Sequence, residues 1–142
     1  MKHFELSKLS FFDFTDQNGN PCRGADQEWY RDSWQRKAGC GPTTASVLLS
    51  YLSHRHPTLA ALGPKGDHTA EAFVRYMEQV WDYVTPTNMG LNSLSLFTGG
   101  SIAFAESRGA SIQFRELPIA GRCDSLRPTL EDCSDFIASA LD

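Results

Sequence analysis

The sequence predicts an α+β fold that is predominantly helical, and its apolar patterning and length support this prediction. Several segments combine helical spacing of apolar residues with a plausible helix start, whereas residues 111–117 alternate apolar and polar side chains as a strand does. The length of 142 residues is typical of one domain, and the hydrophobic content of 41% can form one core. We therefore interpret residues 1–142 as a single domain, with an irregular segment at 1–33 and a helical region at 34–142.

Two helices are predicted between residues 42 and 86. The first begins near Pro42, because proline suits the first turn of a helix, and it ends around His54–Pro57. Apolar residues surround it almost completely, which predicts that it is buried. The second has its cap in Asp67–Thr69, ends before Pro86 and shows an amphipathic pattern. The apolar residues of this pattern are Phe73, Tyr76, Met77, Val80, Trp81 and Val84.

Two further helices are predicted in the C-terminal half. Ser93 can cap a helix that ends at Gly109, although two glycines in the middle weaken it. Thr129 and Asp132 have the spacing of a capping box with Asp in place of Glu, so a last helix is expected to follow them.

The predicted strand at 111–117 has no obvious partner in the sequence. An unpaired apolar strand is unstable, because its backbone groups lack hydrogen bonds. We expect that either the N-terminal segment pairs with this strand or its partner lies beyond residue 142.

Charge and composition argue against several functional classes. The net charge is −4 and the charged residues are scattered, whereas a nucleic-acid-binding domain presents a basic face. No apolar run approaches the roughly 20 residues of a membrane helix, and charged residues interrupt the N-terminal apolar run where a secretory signal would be continuous. We therefore expect a cytoplasmic protein that binds neither nucleic acid nor membranes and uses no cofactor.

The four cysteines, Cys22, Cys40, Cys123 and Cys133, form no CxxC pair. A disulfide framework is not expected in a cytoplasmic chain of this size. The histidines lack the clustered spacing of a zinc site. The closest arrangement is HRH at residues 54–56, but residues two apart on a helix point to different sides. We therefore expect no metal site.

Cys40 is the strongest candidate for a catalytic residue. The thiolate is the reactive form of cysteine, and a helix N-terminus favours negative charge. Cys40 stands between two glycines, which permit a close approach of substrate and an unusual backbone, and it precedes Pro42. Thr43 and Thr44 can occupy free donors of the first turn, and Gln35 can donate to a developing oxyanion together with the Cys40 backbone N–H. The alternative is that the cysteine is a small buried hydrophobe in a glycine-rich turn.

The stretch WQRKAGCGPTTASVLLSYL at residues 34–52 resembles the nucleophile region of papain-like cysteine peptidases. It is most similar to the branch related to bacteriocin-leader-processing peptidases, called peptidase C39-like. In that branch a glutamine precedes a Cys-Gly-Pro or Cys-Gly-Leu turn and a helix of small residues. The resemblance implies that Cys40 is the nucleophile and Gln35 the oxyanion-hole glutamine, although their spacing is one residue shorter than in many relatives. It also implies that this chain is the helical lobe of a papain-like fold.

The resemblance further implies a general base, a histidine on a strand after the helical lobe, oriented by a following Asp or Asn. No histidine here matches that position. His54 and His56 end the helix that follows Cys40, about 20 Å away at 1.5 Å per residue, and His3 precedes the cysteine. His68 is the remaining candidate, and we interpret it as an exposed residue at a helix start. We therefore expect a truncated, catalytically incomplete cysteine peptidase whose substrates are peptides or other amides.

Two alternative functions remain open at this point. One is a non-catalytic binding or interaction module on the same fold. The other is a redox-sensing thiol protein, which requires a resolving cysteine close to Cys40. If the chain is truncated, exposed apolar surface is expected to lead to self-association or to be covered by a partner.

Overall fold

Helices dominate the computed structural model, which describes residue 6 and residues 8–119 and 127–141. These residues form a predominantly helical fold with a small antiparallel sheet, which confirms the α+β prediction. The strands are β1 (Asp13–Thr15) and β2 (Pro21–Arg23). Short 3-10 helices cover Leu9–Phe12, Gln27–Trp29 and Pro57–Leu62. The α-helices are α1 (Ser33–Ala38), α2 (Cys40–Arg55), α3 (Ala70–Trp81), α4 (Leu94–Ser107) and α5 (Leu130–Leu141).

The chain divides into two compact units. One unit, Phe11–Gln113, contains β1, β2, helices α1 to α4 and the hydrophobic core. The other unit combines the described residues of Met1–Ser10 and Phe114–Asp142, and it contains α5. The amino-acid sequence does not indicate this division of the chain.

A hairpin of β1 and β2 lies within residues 1–33, which the sequence predicts to be irregular. The Asp16 carboxylate closes the hairpin turn, because it accepts the backbone N–H groups of Asn18 at 2.7 Å and Asn20 at 2.9 Å. Gly19 takes a positive φ of 81°, which glycine adopts without steric cost. Asn18 and Gly19 therefore form the turn, and the strands on either side are too short to be predicted from periodicity.

Helix α2 lies within the core of the larger unit and contacts α3, α4 and the 3-10 helix Pro57–Leu62. It begins at Cys40, slightly before the predicted start, and ends at Arg55 within the predicted region. Residues on several sides are buried, and Ala45, Ser46 and Leu49 are completely inaccessible to solvent. The prediction of a helix buried almost all round is confirmed.

Helix α3 contributes much of the core. Its cap is Thr69, whose hydroxyl accepts the backbone N–H of Ala72 at 3.3 Å. Phe73, Met77 and Val80 are fully buried along one face. The predicted amphipathic helix is confirmed, and its buried face packs against α2.

Helix α4 has the predicted cap and the predicted end. The Ser93 hydroxyl accepts the N–H of Leu96 at 3.3 Å, and Gly109 follows the helix with a φ of 71°. Gly100 in its middle allows close packing, because a Cβ there would meet the Tyr83 carbonyl oxygen and would lie 3.0 Å from both the Tyr83 carbonyl carbon and the Val84 Cα.

The predicted strand at 111–117 is wrong. Residues 110–119 have no regular secondary structure. A strand exists only where another strand supplies the facing hydrogen bonds, and among the described residues β1 and β2 pair with each other. Ile112 packs against the core from an irregular segment, so its apolar character reflects side-chain packing and not a sheet.

Helix α5 begins with the predicted capping box. The Asp132 carboxylate accepts the Thr129 N–H at 2.7 Å, and the Thr129 hydroxyl accepts the Asp132 N–H at 3.1 Å. None of the residues described in α5 is buried, and Leu130 and Ile137 are largely exposed. The exposed apolar side chains of α5 are the surface through which we predict self-association.

Candidate active site

Cys40 is the first residue of α2, and its side chain is exposed. The first hydrogen bond of the helix joins the Thr43 N–H to the Gly39 carbonyl at 2.9 Å. Cys22 and Cys133 are free thiols that are half-buried, and Cys123 lies outside the described residues. Burial raises the pKa of the Cys22 thiol, so this cysteine is a weak nucleophile at neutral pH. Cys40 is therefore the most accessible thiol in the part of the chain that the structure describes.

The glycines on either side of Cys40 permit close packing of the protein on itself. A Cβ at Gly39 would lie 2.7 Å from Cε2 of the buried Tyr30 ring, and a Cβ at Gly41 would lie 2.9 Å from the Leu91 Cβ. Gly39 has a φ of −80°, and Gly41 is not among the glycines with positive φ. The unusual backbone expected at these glycines is therefore wrong. They seat the start of α2 against Tyr30 and Leu91.

A surface pocket of about 400 Å³ lies beside Cys40. One wall is the first turns of α2, and the other is the segment that leads into the 3-10 helix Gln27–Trp29. A hydrogen bond of 2.6 Å from the Gln27 side chain to the Arg36 carbonyl ties this segment to α1. The residues that line the pocket are Ala25, Asp26, Gln27, Glu28, Cys40, Thr43 and Thr44.

The threonines after Cys40 do not both act as predicted. Thr44 uses its hydroxyl as a donor to the Cys40 carbonyl at 2.8 Å, so it does not accept from a first-turn N–H. Thr43 is buried. Because no side chain caps the N-terminus of α2, the positive end of its dipole stays close to the Cys40 thiol.

Gln35 lies on α1 and is half-buried. Its backbone N–H donates to the Asp32 carboxylate at 3.0 Å, and its carbonyl closely approaches the site of a Cβ at Gly39. The described residues that line the Cys40 pocket include Gln27 but not Gln35. The structure thus places Gln35 on the neighbouring helix, and its role as an oxyanion donor stays a prediction.

The described histidines do not line the Cys40 pocket. His68 stacks on Phe14, with ring centroids 4.5 Å apart and an interplanar angle of 6°, and it meets Phe11 edge-on at 4.6 Å. Burial lowers the pKa of His68, and His54 lowers it further. The interpretation of His68 as an exposed helix-start residue is wrong, because it belongs to an aromatic cluster. His3 lies outside the described residues.

Asp26 and Glu28 are pocket residues that sequence reasoning missed. Asp26 caps the 3-10 helix by accepting the Glu28 N–H at 2.9 Å. An aspartate two residues before the N–H that it accepts is a local capping signal, which the sequence contains. Their proximity to Cys40 depends on the tertiary fold, and no sequence signal indicates it. The two carboxylates give the pocket an acidic wall.

Neither the sequence nor the structure matches a known protein family, a characterised protein or a solved structure. In the described ranges, no three metal-ligating side chains of the His, Cys, Asp or Glu type are grouped as a metal site requires. The helices described also include none with both the length and the apolar character needed to cross a bilayer.

Proposed function

We propose that this chain forms the helical lobe of a papain-like domain and that Cys40 is the nucleophile of a cysteine peptidase-like site. The observation that carries the proposal is the placement of Cys40. Cys40 has an exposed thiol, lies at the uncapped start of a buried helix and lines an adjoining pocket. A helix N-terminus stabilises the thiolate, and the pocket provides room for a substrate carbonyl.

In the proposed reaction the Cys40 thiolate attacks an amide carbonyl and forms a C–S bond. The carbonyl oxygen takes up the negative charge, and Gln35 with the Cys40 backbone N–H is proposed to donate to it. The C–N bond then breaks, the amine leaves with a proton from the general acid, and water hydrolyses the thioester. Substrates are peptides or other amides, and transfer of the acyl group to another thiol is the alternative fate of the same intermediate.

The general base is the part of the site that the described residues do not supply. A Cys–His pair needs the histidine to activate the thiol and to protonate the leaving amine. We therefore propose that this chain alone forms a covalent adduct with reactive electrophiles but does not turn over peptide amides. A reducing compartment such as the cytoplasm would keep the thiol available.

Labelling with a peptidyl vinyl sulfone tests this proposal. The chain is incubated with the probe, digested and mapped by mass spectrometry, and the variants Cys40→Ser and Cys133→Ser are treated in the same way. We expect the adduct on Cys40, its loss in Cys40→Ser and an unchanged yield in Cys133→Ser. Equal labelling of Cys133, or no labelling of Cys40, would contradict the proposed nucleophile.

A non-catalytic binding module on the same fold is the second candidate. It is favoured by the absence of any described histidine from the lining of the Cys40 pocket. An activated p-nitrophenyl ester separates the two functions, because a nucleophile releases p-nitrophenol in a burst and accumulates a thioester on Cys40. A binding module gives no burst above that of Cys40→Ser. The redox-sensing alternative stays a prediction, because it depends on a resolving cysteine close to Cys40.

A further inference from the structure

We propose that a second cleft, lined by Lys65, Arg75 and Arg108, binds a small anion of the phosphate type with two or more negative charges. This cleft has a volume of about 370 Å³ and lies within the larger unit. Its described lining shares no residue with the Cys40 pocket. The inference is therefore independent of the proposed peptidase function.

The three cations reach the cleft from separate segments. Lys65 follows the 3-10 helix Pro57–Leu62, Arg75 lies on α3 and Arg108 is the cap at the end of α4. No carboxylate is among the described residues that line the cleft, although the chain as a whole has a net charge of −4. Like charges gathered in one cleft repel one another, and a bound anion removes this repulsion.

Arg108 is held in position before any ligand binds. Its guanidinium lies 4.9 Å from the centroid of the Phe104 ring, and it donates a hydrogen bond to the Gln79 side-chain oxygen. The same amide carries an NH₂ group, which is a neutral hydrogen-bond donor. Because Gln79 and Arg108 both line the cleft, Arg108 offers a positive charge and Gln79 a neutral donor to a ligand. Ordering these side chains in advance lowers the entropic cost of binding.

Arg75 can turn towards the cleft at little cost. Its guanidinium lies 3.2 Å from the Glu71 carboxylate, and the two side chains are 65% and 82% exposed. An ion pair this exposed contributes little to stability. An arginine can form two parallel hydrogen bonds to one phosphate group, which makes it well suited to this ligand class.

Tyr76 forms part of the cleft wall and holds the segment that carries Lys65. Its hydroxyl donates to the Leu62 carbonyl at 2.6 Å, three residues before Lys65. Burial raises the pKa of Tyr76, so its hydroxyl stays neutral and adds no negative charge to the cleft. Tyr76 therefore ties Leu62 to α3 without adding negative charge to the cleft.

Isothermal titration of the full chain with inorganic pyrophosphate and inorganic phosphate tests the proposal. We expect saturable binding of one pyrophosphate per chain, tighter than that of phosphate. Arg75→Gln and Arg108→Gln should each weaken it about tenfold or more, because each removes charge-assisted hydrogen bonds. Arg55→Gln, which removes the same charge from the end of α2, should leave binding unchanged. Glu71→Gln should tighten binding about two- to fivefold by releasing Arg75.

The proposal is overturned by an absence of saturable binding to the wild-type chain. It is also overturned if Arg55→Gln weakens binding as much as the cleft variants, because the attraction would then be a long-range charge effect. Citrate that binds as tightly as pyrophosphate would reject the phosphate assignment. If Arg108→Gln does not fold, the exposed Arg75 still carries the test, and Arg75→Lys shows whether the guanidinium shape is needed.

Discussion

Replacing Gly39 with alanine should destabilise the chain, because the backbone at the start of α2 lies directly against Tyr30. The new Cβ would lie 2.7 Å from Cε2 and 3.0 Å from Cδ2 of the Tyr30 ring, and it would also meet the Gln35 carbonyl. The ring cannot move away easily. It is 1% exposed, meets Trp81 edge-on with centroids 5.5 Å apart and donates from its hydroxyl to the Met77 carbonyl at 3.4 Å.

Two opposing effects set the size of the change. Overpacking of a filled core costs about 1–3 kcal/mol. Alanine also restricts the unfolded chain more than glycine does, and this stabilises the folded state by about 0.4–1 kcal/mol where the backbone angles suit it. The Gly39 φ of −80° is one that alanine adopts without strain. The overpacking term is the larger one, so Gly39→Ala should lower the free energy of unfolding by about 1–2 kcal/mol.

Urea denaturation followed by circular dichroism measures this change. With a slope of about 1–3 kcal/mol per M, the midpoint should fall by about 0.3–2 M. The matched control is Gly99→Ala in the middle of α4, where a Cβ meets nothing within 4 Å. The free energy of unfolding of this control should rise by about 0.5–1 kcal/mol, because alanine is the better helix former. A Gly39→Ala chain as stable as the wild type would refute the close packing of α2 on Tyr30.

Three further predictions follow from the packing and exposure of particular residues. Gly100→Ala should lower the free energy of unfolding by about 1–2 kcal/mol in the same assay, because overpacking against the Tyr83 backbone exceeds the gain in helix propensity that alanine brings. Because burial lowers the pKa of His68, the unfolded chain binds its proton first as the pH falls through about 6.5. Between pH 7 and pH 5 the free energy of unfolding should therefore fall more for the wild type than for His68→Phe. Urea denaturation at each pH measures this difference. Leu130→Lys and Ile137→Lys should reduce any self-association seen by sedimentation velocity, since both side chains are exposed on α5.

The helix boundaries could be predicted because their signals are local. Thr69, Ser93 and Thr129 each accept a backbone N–H three residues later, as a cap does, and each stands before an apolar pattern. Asp32 is an equally good cap and accepts the N–H of Trp34 at 2.8 Å. Its helix α1 was not predicted, because a helix of six residues is too short for a periodic pattern to emerge.

The missed features depend on contacts between distant parts of the chain. Residues 111–117 have an alternating pattern, but a pattern cannot show whether a partner strand exists. The packing of His68 on Phe14 and the position of Asp26 beside Cys40 join residues that are far apart in sequence. Cys40 itself could be predicted, since its glycines, its proline and the helix that follows are all neighbours in sequence. The acidic pocket wall beside it could not be predicted.

The most direct test of the account is whether the fold makes Cys40 a better nucleophile than the same residue in an unstructured chain. The second-order rate constant of iodoacetamide alkylation at pH 7 is measured for Cys40 in the folded chain and in a synthetic peptide of residues 34–46, which contains no other cysteine. A helix-terminus interaction of about 0.3–1 kcal/mol predicts that the folded chain reacts about two- to fivefold faster. Equal or slower alkylation in the folded chain would contradict the proposal that the start of α2 activates the thiol.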